Sequence, residues 1–148
     1  SHDDMTDTHV ARSAALGVDF AEFPTSLEAA RANRRAGILS MMGAPNVLRG
    51  GSHSGNVAAM ALAEEGLLDI LSSDYVPSAL LMGAMRLADA TGDLPGAIAT
   101  VTRNPAAVAG LADRGEIAIG KRADLLTLAH FGDLAVVTGV WARGRKVA

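Results

Sequence analysis

Apolar positions along this chain alternate between short continuous runs and stretches with the three-to-four spacing of a helix, with glycine at many of the joins. Thr6 to Leu16 has helical spacing, with Val10, Ala14 and Leu16 on an apolar face and Gly17 as its stop. Val18 to Phe23 is a predicted strand closed by Pro24. Thr25-Ser-Leu-Glu28 has the spacing of a capping box, which opens a helix to Ala36 with Gly37 at its C′ position. Ile38 to Met42 is the next strand, and a polar stretch from Gly43 to Asn56 follows it. A helix from Val57 to Glu65, a strand from Leu67 to Leu71 and a helix from Pro77 to Ala90 continue the rhythm. Strand–helix units in succession predict a parallel α/β sheet.

The pattern changes after Gly92. Leu94 to Thr102 and Asn104 to Gly110 are predicted short helices, the second capped by Asn104 with Pro105 at its first position. From Gly115 the spacing becomes that of strands: Glu116 to Ile119, Ala123 to Leu128, Ala135 to Trp141, and Lys146-Val147 after a turn at Ala142-Arg-Gly-Arg145. This tail predicts a small antiparallel β unit.

Composition narrows the class. A chain of 148 residues, 49% hydrophobic with a mean hydropathy of +0.24, can bury a real core and suits a mostly parallel sheet. The net charge of −3 gives no general pull toward nucleic acid or an anionic membrane, so neither is an expected partner. With no cysteine, disulfides and thiolate metal sites are excluded. No apolar run approaches the ~18–20 residues of a membrane span, and no signal-peptide pattern opens the chain, so a cytoplasmic protein is expected.

Candidate chemistry gathers where strands end, because parallel α/β folds collect functional groups at the C-terminal strand tips. His2, Glu22 after the Val18 strand, the Asn46–His53 loop after the Ile38 strand and Asp74 after the Leu67 strand would share one rim. Imidazole and carboxylate together suit zinc or manganese. In the loop, Gly50 and Gly51 can turn backbone amides toward an anion, Arg49 can grip two phosphate oxygens, and Asn46, Ser52, His53, Ser54 and Asn56 add polar groups. Each has a plainer alternative. The loop can be a connector, His2 an exposed residue, Glu22 a strand end, and Asp74 the cap of the helix near Pro77. His9, in a helix, and His130, in a turn of the β unit, are assigned to structure. Arg31, Arg34 and Arg35 are assigned to a solvated face, and Met41, Met42 and Trp141 to the core.

Four segments, Ser1-His2-Asp3-Asp4, Glu22-Phe23-Pro24, Gly43 through Asn56, and Ser72-Ser73-Asp74-Tyr75-Val76-Pro77, resemble the phosphonate-metabolism branch of the amidohydrolase superfamily. The tail, Thr102-Arg-Asn-Pro-Ala-Ala with Gly115 to Asp124 and Val140 to Val147, is similar to that superfamily in general. The resemblance implies an α/β fold, the C-terminal half of a (β/α)8 metal-dependent hydrolase barrel with a small C-terminal β-sandwich unit. Residues 1–112 would form the half-barrel and 113–148 part of a composite sandwich. It further implies one or two divalent ions, zinc or manganese, in the complete enzyme. His2 would be a metal ligand, and Asp74 a ligand that also takes the proton of attacking water. Glu22 would be a ligand where relatives often have histidine. The substrate would be a phosphorylated ribose, a ribose 1-methylphosphonate 5-triphosphate cleaved to the 5-phosphate and diphosphate.

The chain lacks the family's His-x-His pair and opens at what corresponds to the fifth barrel strand. It is therefore expected to be a fragment that is inactive alone, pairing with an N-terminal half or with itself as a homo-oligomer. Two other readings are weighed against this one. One is an amidohydrolase acting on a C–N bond, as a deaminase or cyclic amidase. The other is a non-catalytic half-barrel module.

Overall fold

A computed structural model describes residues 1–52, 54–132 and 134–148. Two three-stranded sheets organise them. The first is parallel, in the order β1 (Phe20–Glu22), β2 (Leu39–Gly43), β3 (Ile70–Ser72). His2 extends it at one edge through a parallel bridge to Glu22, with the Asp3 amide donating to the Glu22 carbonyl at 3.0 Å. The second sheet is antiparallel, in the order β4 (Leu125–Phe131), β5 (Leu134–Ala142), β6 (Arg145–Lys146).

Helices connect and cover the parallel sheet. α1 (Asp7–Ala15) starts at Thr6, whose hydroxyl accepts the His9 amide. Only Val10 and Ser13 of α1 are buried; Ala14 and Leu16, expected on its inner face, are exposed because the helix touches the body along one narrow stripe. α2 (Leu27–Ala36) ends at Gly37 in the left-handed conformation, as its sequence predicts. Its cap is Ser26, which accepts the Ala29 amide at 3.1 Å, so the cap sits one residue later than the Thr25–Glu28 spacing implied.

The expected long loop is partly helical. α3 (Ala44–Arg49) begins directly at the end of β2, with Pro45 in its first turn and Gly50 left-handed at its end. α4 (Ala59–Glu64), α5 (Ala79–Thr91), α6 (Leu94–Ala99) and α7 (Arg103–Val108) complete the helices. The cap of α7 is Thr102 rather than Asn104, whose side-chain amide donates instead to the Asp69 carbonyl at 2.8 Å. α3 and α5 meet at very close range: a Cβ on Gly83 would lie 2.8 Å from the Ala44 Cβ.

Residues Glu116 to Ile119 are not a strand, and Ile117 and Ile119 are almost wholly exposed. Alternating apolar spacing needs a neighbouring strand to accept its hydrogen bonds, and none of the described residues lies alongside as one. His130 lies in β4, opposite Ala135, rather than in a turn.

The core sits between the sheet and its helices. Met42, Leu71, Leu62, Leu67, Val47 and Leu87 form one cluster, and Ala21, Val10, Ala29, Ala32 and Ile38 another. Side chains alternate across a strand, so Ala21, Ser40, Met42 and Leu71 face the helices. Phe20, Glu22, Leu39, Met41, Ile70 and Ser72 share the opposite face, where all but Ile70 are only half-buried. Met41 therefore does not join the core. Nor does Trp141, which is half-buried with the Lys146 Nζ 5.7 Å from its ring centroid.

Candidate active-site cleft

The C-terminal ends of the parallel strands open into a cleft of about 310 Å³. The strand register determines which residues reach it. His2 pairs with Glu22, Glu22 with Met41, and Gly43 with Ser72, so the segments following these residues emerge side by side. His2, Asp3, Arg49 and Asp74 all line the cleft, with Asn46, Gly51, Ser52, Ser54 and Asn56 from the connection between β2 and α4. Gly50 does not line it, and His53 lies outside the described residues.

Glu22 pairs directly with His2 but does not line the cleft with His2 and Asp74: it lies on the half-exposed sheet face, and the next residue, Phe23, supplies the cleft wall. The twofold alternation of strand side chains separates the two. Among the described residues no three His, Asp or Glu side chains are grouped so as to hold a metal ion.

Backbone strain concentrates at this rim. Asp3, Phe23 and Asp74 each follow a strand end with a left-handed backbone, at φ of 58°, 55° and 51°. Such conformations cost side-chain-bearing residues on the order of 1 kcal/mol or more and cluster at functional sites. They turn the chain sharply, so that the side chains after successive strands share one opening.

Contacts then fix the groups. The His2 Nδ1 lies 2.8 Å from the Asp3 Oδ2, and its ring meets Phe23 edge-on at 5.4 Å between centroids. A carboxylate beside one ring nitrogen favours the proton there and leaves Nε2 as the lone-pair donor, the arrangement of many metal-ligating histidines. The Asp74 Oδ1 accepts the Tyr75 amide at 2.9 Å. Asp74 is not the cap of α5: Ser78 occupies that position and makes no side-chain cap bond. Its carboxylate packs over Gly43, where an added Cβ would lie 2.8 Å from Oδ2.

The glycine loop behaves differently from its expected anion nest. The Gly50 and Gly51 amides both donate to the Asn46 carbonyl at 3.1 Å, closing the end of α3, and the Ser54 amide donates to the Ser52 Oγ at 3.1 Å. Asn46 Oδ1 accepts the Ala59 amide at 2.9 Å and so holds the first turn of α4. Because α3 formed where a loop was expected, its terminal carbonyls claim those amides. Side chains, chiefly Arg49, are what this wall offers an anion.

Sequence reasoning missed Gly43 and Tyr75. Gly43 was legible only as a loop glycine. Tyr75 stood beside Asp74 in the sequence, but its hydrogen bond from the Arg49 guanidinium spans 26 positions and has no local signature. A larger, mostly apolar cavity lies between α6 and β4 and holds none of the candidate residues.

The amidohydrolase family model matches residues 1–148. The chain belongs to the amidohydrolase family. Among its family relatives, an Escherichia coli (strain K12) protein named alpha-D-ribose 1-methylphosphonate 5-triphosphate diphosphatase is 56% identical over 151 residues. That alignment covers 99% of this chain and 40% of the relative, so the chain spans well under half of the relative's length. A solved structure of an uncharacterized protein matches with a TM-score of 0.72 at 22% identity, over 99% of this chain and 44% of the other. A prolidase complexed with N-methylphosphonate-L-proline matches at 0.69, with the same identity and coverage. An amidohydrolase from Thermotoga maritima MSB8 matches at 0.55 and 16% identity, over 87% of this chain and 43% of its own. At such identities the structures speak to the fold of this amidohydrolase chain and not to its substrate.

Proposed function

We propose that this chain forms part of a metal-dependent phosphohydrolase that cleaves a ribose 1-methylphosphonate 5-triphosphate to the 5-phosphate and diphosphate. The observation that carries the reading is the meeting of His2, Asp74 and Arg49 in one cleft at the strand tips. The 56% identity to a protein named for that activity supports it. Residues 1–112 would form the C-terminal half of a (β/α)8 barrel and 113–148 part of a β-sandwich. The half-exposed face of Phe20, Glu22, Leu39 and Met41 supports this, since a closed barrel would cover it.

The donor set fits part of a divalent-metal centre. His2, with Nδ1 turned to Asp3, and Asp74 would hold the ion; the remaining ligands would come from a partner segment or copy. A bound divalent ion, zinc or manganese, lowers the pKa of its water and neutralises phosphate charge. Asp74 accepts a proton at Oδ2, the oxygen that the Tyr75 amide leaves open. Arg49 binds phosphate oxygens through its planar fork of donors. The setting is a cytoplasmic one.

Diphosphate release is the test. The protein as its source makes it should liberate diphosphate from the ribose triphosphate in the presence of zinc or manganese and leave amide substrates intact. Turnover of a cyclic amide with none of the triphosphate would replace this reading with C–N hydrolysis.

A further inference from the structure

We propose that Tyr75 is a positioning residue for anion recognition, its hydroxyl holding the Arg49 guanidinium on the cleft wall so that the remaining N–H donors meet a phosphate chain. This rests on the phosphate-cleft reading given above.

Arg49 is the last residue of α3 and Tyr75 lies in the turn after β3, so their hydrogen bond ties together two elements that bound the cleft. Both side chains line that cleft. Tyr75 is 60% exposed, which makes core packing a poor account of its ring. The chemistry of its partner matters more. Arg31, Arg34, Arg35, Arg114 and Arg122 are each paired with a carboxylate, at 2.6 to 2.9 Å, which neutralises their charge. Arg49 is held by a neutral phenol oxygen, which restrains the guanidinium but leaves its charge for a ligand. A guanidinium carries five N–H donors, so one bond to the phenol leaves enough for a bidentate grip.

Tyr75 also restrains the opposite charge, since its backbone amide donates to the Asp74 Oδ1 at 2.9 Å. One residue thus sets both the cation that would receive the phosphates and the carboxylate that would receive a proton. A side chain ordered before binding loses less freedom when the ligand arrives.

The test is calorimetric titration of the protein, as its source makes it, with inorganic triphosphate. Wild type, Tyr75→Phe, Arg49→Gln and the double variant are compared. Tyr75→Phe keeps the ring and the backbone amide and removes only the hydroxyl. It should weaken triphosphate binding about three- to tenfold. The double variant should bind no more weakly than Arg49→Gln alone, because the hydroxyl acts through Arg49. In turnover of the ribose triphosphate, Tyr75→Phe should raise KM and leave kcat nearly unchanged. Equal triphosphate affinity of Tyr75→Phe and wild type, or additive losses in the double variant, overturns the inference and leaves the phosphate cleft standing. Failure of the wild type to bind triphosphate overturns the phosphate reading, and the role of Tyr75 falls with it.

Discussion

The two ends of the parallel sheet are built to opposite rules. At the C-terminal end, Asp3, Phe23 and Asp74 sit in left-handed backbone, and Asp3, Asp74, Arg49 and Tyr75 are exposed around a cleft. At the N-terminal end, Asp69 is held in a hydrogen-bonded network. Its Oδ2 accepts the Ser40 amide at 2.9 Å, its Oδ1 meets the Arg34 guanidinium at 2.9 Å, and its carbonyl accepts the Asn104 side chain at 2.8 Å. The Asn33 side chain adds a bond to the Ser40 Oγ at 3.3 Å. One end stores strain and presents chemistry; the other spends its polar groups on holding strands and helices together. In parallel α/β folds this division lets loops at one end vary without loosening the other.

The sharpest way to break the comparison is Asp74→Asn. Diphosphate release should fall roughly 10²- to 10⁴-fold, the range of a lost general acid or base. The melting midpoint should stay within a degree or two, since asparagine has the same shape, tolerates the left-handed backbone and keeps an oxygen for the Tyr75 amide. A large drop in midpoint would make Asp74 a structural residue and erase the contrast.

Gly43→Ala should come next. The new methyl meets the Asp74 carboxylate and displaces it, and a shift of about 1 Å at a reacting group costs on the order of 10²-fold in rate. Kinetics with normal binding of triphosphate would confirm that the carboxylate, and not the anion wall, has moved.

Asp69→Ala should do the reverse, costing about 1–3 kcal/mol of stability by leaving the Ser40 amide unpaired, while diphosphate release per folded molecule is kept. Denaturant unfolding measures it. The same residue sharpens the comparison through pH. Burial pushes the Asp69 carboxyl above its ordinary value, against the Ser40 amide and Arg34, which favour the ionised form. A raised carboxyl binds its proton more tightly in the folded than in the unfolded state. Its contribution to stability is therefore fully present below the unfolded value of 3.8 and is lost as pH rises through the raised folded value. Asp69→Asn removes this slope, so the stability of wild type relative to that variant should decline as pH rises from 3 to 7. The smallest effect is expected at the surface pair of Arg31 and Glu65, whose replacement by glutamines should leave the midpoint unmoved.

Much of the framework was legible because its signals are local. The stop at Gly37, the parallel strand–helix order and the antiparallel tail all rest on residues within a turn or a strand of one another. The meeting of His2 and Asp74 was legible too, since strand tips in such a sheet have one destination. What escaped depended on distant partners. Gly43, Gly50 and Gly51 give the α3 stretch the pattern of a loop, although Pro45 near its start and Gly50 at its end are helix boundaries. The seat of Asp74 on Gly43 and the bond between Arg49 and Tyr75 join residues far apart in sequence, which periodicity cannot register. Glu22 pairs with His2 yet leaves the cleft wall to Phe23, because a strand's alternation puts neighbours on opposite faces.

Gly83 shows how far such dependence reaches. With no side chain of its own, it lets α5 rest directly on Ala44, so the short helix that ends in Arg49 has no cushion beneath it. A methyl added there would lift α3 as a lever lifts a lid, tilting a guanidinium that lies 34 positions earlier in the chain. The gauge of the mouth is thus set by an absent atom on the far side of a helix.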